Sequence, residues 1–259
     1  MTTFSVQLAA SIALILNVVP ASLGAQVQVE QAEIAKVLAK GTLEDRMTAH
    51  RLIRQIPVSQ RQPYILTALT QELDRLDQYL RERRLAIARG EPLESAEEVG
   101  EYIFSVIQVV SDYKDPAIIR PLLPFLGTGS NVINLIVAFG DTAVQQVVDF
   151  AGTASADDPG LLGTLLALER LLVSPALSED SRQSIIKVAD QRLMENQPPL
   201  GVLDRAIALA LATGDSALLT KVWSLANDPV AVQNLGITDP SLVTRIQQMA
   251  ASRLAPARR

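Results

Sequence analysis

Apolar residues in this chain recur at steps of three and four, and short Pro, Gly or polar stretches cut that pattern into helix-sized lengths. From Pro63 to about Ala88, the residues Leu66, Leu69, Leu73, Leu76 and Leu80 form a narrow seam suited to pairing with another helix. The charges around it, Glu72, Asp74, Arg75, Asp77, Arg81, Glu82, Arg83 and Arg84, mix both signs and are expected to form its solvated surface. Before this segment, Gly41 is placed to end one helix and Thr42, with Asp45 three residues on, to open the next. That next helix carries Leu43, Met47, Ile53 and Ile56 and stops at Pro57. After the long segment "GEPLE" breaks the chain. Ser95 with Glu98 then reads as a capping box for a helix with apolar positions Val99, Tyr102, Ile103, Val106 and Val110.

Three further starts share a form: "DPAIIRPL" from Asp115, "DTAVQQVV" from Asp141 and "DSALLTKV" from Asp215. Each places an Asp as N-cap, then Pro, Thr or Ser, then Ala, then aliphatics four apart: Ile118 and Leu122, Val144 and Val148, Leu218 and Val222. The two later copies follow Gly and an apolar helix, so the repeated object is a helical hairpin with a tight corner. Between them Ser178 opens another helix, and the starts at 141, 178 and 215 stand 37 residues apart, a period typical of stacked helical pairs. Two more Asp-Pro starts follow at Asp228 and Asp239, and the chain ends in a basic tail.

From Ser95 to Ala226 the chain resembles consecutive HEAT repeats, most clearly in "YKDPAIIRPLLPFLGTGSNVINLIVAFGDTAVQQVVDFAG". The departures are an interval of 26 residues between Asp115 and Asp141, Pro121 and Pro124 inside the first copy, and no arginine in "NVINLIVAFG". The resemblance implies an α-α superhelix; read without it, the same pattern also fits an irregular helical bundle. It further implies a non-catalytic scaffold or adaptor that holds a protein partner along its second helices. Carried over position by position, the partner-facing residues are Arg120, Gln146 and Thr220, with Asp149 and Lys221 beside them. The segments expected are 1–25 as a signal peptide, 26–93 as divergent repeats or a helical cap, 94–227 as the HEAT-like repeats, and 228–259 as a last helical piece with its tail.

Composition narrows this picture. Hydrophobic residues make up 48% of the chain and aromatics only 4%, a balance that favours packed helices over a β-sandwich. The 23 basic residues against 28 acidic give a net charge of −5 without a long basic block, so nucleic acid is not an expected partner. The run "VQLAASIALILNVV", Val6 to Val19, has the length of a secretory h-region and is too short to span a bilayer. Pro20 and "ASLGA" follow, so cleavage is expected after Ala25, with export to the periplasm or beyond the cell. No other apolar stretch is expected to cross a membrane, because "LLGTLLALERLLV" carries Glu169 and Arg170 in its middle.

Candidate chemistry is sparse. With no Cys and a single histidine, His50, a Cys/His zinc site is excluded, and no cofactor or metal is expected. His50 itself reads as a packed helix residue with a minor option of acid–base work. Ser184 and Lys187 match Ser-x-x-Lys inside an ordinary helix pattern without a Lys-Thr-Gly elsewhere. Gly127-Thr-Gly129 reads as a corner, not a phosphate cradle. Glu94, Glu97, Glu98 and Glu101 favour the positive end of the helix near Ser95. The rival to a scaffold is an exported helical enzyme or ligand-binding protein in which carboxylates such as Glu98, Glu101, Asp149 and Glu169 converge in a cleft. Trp223, one residue after Val222, is expected in the core, at the edge of the buried stripe.

Overall fold

The computed structural model describes residues 23–90 and 96–255. The predicted signal run, the Ser95 capping box and the end of the basic tail lie outside the described residues, as does the Glu98 side chain. Among the described residues the protein is all-helical, with 13 α-helices, three short 3-10 turns and no strand. The helices are α1 (Leu23–Lys40), α2 (Leu43–Gln55), α3 (Pro63–Ala88), α4 (Ala96–Val110), α5 (Ile119–Leu122), α6 (Ser130–Ala138) and α7 (Asp141–Thr153). There follow α8 (Pro159–Leu172), α9 (Glu179–Leu193), α10 (Leu200–Thr213), α11 (Ser216–Asn227), α12 (Pro229–Gln233) and α13 (Pro240–Leu254). The chain divides into two compact units, one ending at Ile118 and one starting at Ile119.

In the first unit the boundaries follow the caps. Thr42 and Asp45 exchange bonds in a full capping box, and Pro57 closes α2 two residues after its last turn. The buried stripe of α3 is Ile65, Leu69, Glu72, Leu73 and Leu76. Glu72 is therefore a correction to the expectation of a solvated charge: three residues after Leu69 and four before Leu76, it lies on the seam. Leu43 is a second correction, being exposed, since the buried face of α2 runs through Ala49, His50 and Ile53. Helices α2 and α4 lie side by side, joined by Arg46 to Tyr102, His50 to Ser105 and Arg54 to Gln108. Because both numbers rise together from one rung to the next, the two helices run parallel.

In the second unit Pro121 and Pro124 break the predicted helix after Asp115 into a 3-10 turn, α5 and a second 3-10 stretch, Leu123–Thr128. Against that stretch α8 makes its closest approach. A Cβ added at Gly160 would stand 2.7 Å from the Leu123 carbonyl oxygen, and one at Gly163 only 2.2 Å from that of Leu126. Nothing larger than glycine fits there without moving the backbone. The corner predicted at Gly127 to Gly129 is present, since α6 begins at Ser130. Asp215, Asp228 and Asp239 cap their helices as expected.

Asp141 does not cap its own helix, which corrects the second shared start. Gly140, with φ 57°, stands at that N-cap, and the Asp141 carboxylate instead accepts from the Ser178 backbone N–H at 3.1 Å and its hydroxyl at 3.0 Å. At the other end of α7, buried Arg192 donates from Nε to the Ala151 carbonyl (2.7 Å) and from Nη2 to that of Ala154 (2.6 Å). These carbonyls are the unpaired acceptors that a helix C-terminus leaves behind. So α7 and α9 also run parallel, start beside start and end beside end. Elsewhere Asn134 of α6 accepts from Arg170 of α8, Glu169 of α8 pairs with Arg205 of α10, and Asp204 of α10 pairs with Arg253 of α13.

Candidate functional site

The densest polar cluster lies in the first unit, where α2, α3 and α4 meet. His50 is 1% exposed and Glu72 0%, both buried by the apolar stripes that flank them. The His50 ring bonds on both sides: Nε2 stands 3.0 Å from Glu72 Oε2, and Nδ1 stands 2.9 Å from Ser105 Oγ. The second Glu72 oxygen accepts from the Tyr102 hydroxyl, whose ring stacks on the imidazole with centroids 5.8 Å apart. Arg46 Nη1 donates to the same hydroxyl at 3.5 Å, adding a positive charge at the rim.

The network fixes the protons. Ionised Glu72 only accepts, so Nε2 carries the ring hydrogen, and in the neutral imidazole Nδ1 is left as acceptor for the Ser105 hydroxyl. Burial, and then the neighbouring Glu72 charge, push the Tyr102 phenol well above its usual range, so it remains a donor to the carboxylate. Ser105 as a residue is half-buried, while the histidine and carboxylate behind it are sealed off. In chemical terms this is an acid, a base and a hydroxyl in series. The chain matches no family model, no curated protein and no solved structure.

The residues expected to meet a partner are spread over three helices of the second unit, α5, α7 and α11. Arg120, Asp149 and Thr220 are exposed, with Asp149 accepting from Gln145 at 2.7 Å and Thr220 donating to the Ser216 carbonyl at 2.9 Å. Gln146 and Lys221 are half-buried, and Lys221 bridges to Asp190 of α9. Trp223 corrects the sequence expectation: it is 51% exposed, because the buried positions of α11 are Leu218, Val222 and Leu225 and residue 223 turns about 100° away from Val222. Of the carboxylates named for a cleft, Glu101 is exposed and Glu169 is held by Arg205 at 3.7 Å. Ser184 of the Ser-x-x-Lys match donates back to the Asp180 carbonyl. Among the described residues no three His, Asp or Glu side chains gather as a metal-binding set.

Sequence reasoning noticed His50 but not its companions. The available signal was Glu72 at a position of the leucine seam, since a carboxylate on a buried stripe needs donors and the single histidine is one.

Proposed function

We propose that the HEAT-like repeats, in their part from 119 to 227, form a superhelix that serves as a protein-binding scaffold outside the cytoplasm. The observation that carries this reading is the set of bridges between successive hairpins: Asn134 to Arg170 and Asp141 to Ser178, 36 and 37 residues apart, with Glu169 to Arg205 continuing the series. Equivalent positions of neighbouring units touching one another is the arrangement that stacked repeats require, and such stacks offer an extended surface to other proteins. Half-exposed Trp223 adds an aromatic side chain of the kind that anchors protein interfaces, and Asp149, Thr220 and Arg120 supply polar positions around the same helices. Export is supported by the Val6 to Val19 run and by the absence of cysteine.

The experiment is capture of the tagged full chain from a crosslinked, fractionated cell envelope, together with the intact mass of the recovered chain. One protein recovered in fixed ratio, weakened by Trp223→Ala, upholds the scaffold, and a mass lacking residues 1–25 upholds export. Recovery of the chain alone, from the envelope and the soluble fraction alike, sinks the scaffold.

A further inference from the structure

We propose that Ser105 is an activated nucleophile, with His50 as its general base and Glu72 as the group that orients the base, able to accept an acyl group from a small activated carboxylic ester. This adds a chemical activity in the first unit that the sequence, read as a non-catalytic scaffold, did not suggest, and it stands independently of the protein-binding role of the second unit.

Ser105 behaves differently from other helical serines of the chain. Ser184 and Ser224, and Ser111 just past the end of α4, each donate to the carbonyl four residues earlier, the usual local outlet for a hydroxyl on a helix. The Ser105 hydroxyl is directed at the His50 imidazole instead. The histidine is locked in the useful tautomer, because Glu72 takes the Nε2 hydrogen and is itself fixed by Tyr102. The carboxylate and the base are buried while Ser105 is half-buried, a gradient of burial in the direction that a nucleophile meeting an outside substrate needs.

Ser105 Oγ bonds to the ester carbonyl carbon as its proton passes to His50 Nδ1; the carbon–oxygen bond to the leaving alcohol then breaks, and that alcohol takes the proton from Nδ1. Water repeats the sequence on the acyl-serine and releases the acid. The Ser105 N–H is already spent inside α4, so charge on the carbonyl oxygen has to be met by a side chain. The cation available one turn along both helices is exposed Arg54, bonded to Gln108 at 2.7 Å.

The test is labelling of the folded full chain with an alkyl fluorophosphonate, in which Ser105 Oγ bonds to phosphorus and fluoride leaves, followed by peptide mass spectrometry. Modification at Ser105 is expected. Ser105→Ala should abolish it, and His50→Gln should slow it by at least about 100-fold. Because His50→Gln can unfold the unit, circular dichroism accompanies each variant, and the label on the unaltered protein provides an independent readout. No label on Ser105 while a control hydrolase is labelled overturns the proposal. So does an unchanged rate in a folded His50→Gln protein. The burst of p-nitrophenol from p-nitrophenyl acetate should match one equivalent per chain if acylation is faster than release, and its absence alongside absent labelling counts the same way.

Discussion

Tyr102 shows how much one hydroxyl can hold. Its O–H is the donor to one oxygen of a carboxylate that is fully buried, so Tyr102→Phe leaves that oxygen unpaired at a cost of about 1–3 kcal/mol in unfolding free energy, measurable by chemical denaturation. The same residue sets a pH dependence. Its folded value lies above the ordinary 10.0, so above that pH the unfolded chain gives up a proton that the folded chain keeps. Its contribution to stability is present in full below about pH 10 and is lost as pH rises toward the folded value. Tyr113, raised chiefly by burial, acts in the same direction. Unfolding midpoints taken from pH 9 to 11.5 should fall, and should fall less steeply in Tyr102→Phe. A slope unchanged by that substitution would remove Tyr102 from the account.

At the scale of elements, helix existence was legible because caps and breakers are local. Thr42, Pro57, Pro63, Ser178, Asp215 and Asp239 each did in the fold what short-range chemistry demands. What was not legible depended on neighbours far along the chain. Asp141 looks like any capping Asp until Ser178 is beside it, and Glu72 looks like any surface charge until His50 and Tyr102 face it. Periodicity gives the face of a helix, but not which polar residue on that face has found a partner. Nor did sequence reveal that Gly160 and Gly163 let α8 touch backbone. Gly163→Ala should therefore destabilise the protein by about 1–3 kcal/mol or more, even though alanine is the better helix former. Asp215→Ala, which removes a cap bonded to Ala217 and Leu218, should cost about 1 kcal/mol. Equal and negligible effects in thermal melts would contradict both packing arguments.

For the whole molecule, two compact units and a single tryptophan make a convenient separation. Trp223 belongs to the second unit and is half-exposed, so its emission should be readily quenched by acrylamide in the folded protein. During denaturation Trp223 fluorescence reports the second unit, while far-ultraviolet dichroism reports both. Tyr102→Phe should move the dichroism transition and leave the fluorescence midpoint in place. Coincident shifts in both signals would mean that the units unfold as one.

The bridge from Asn134 to Arg170 also has a bearing on how such a chain can change its length over generations. A residue inserted within α8 would swing Arg170 by about 100° around the axis and carry it away from Asn134, so the interior of a hairpin helix is closed to insertions and deletions. The corner at residues 154–158 lies between helices and is more exposed, and growth there shifts neither partner's angle. Viable variants should therefore gain and lose residues at the corners, or by whole hairpins at a time.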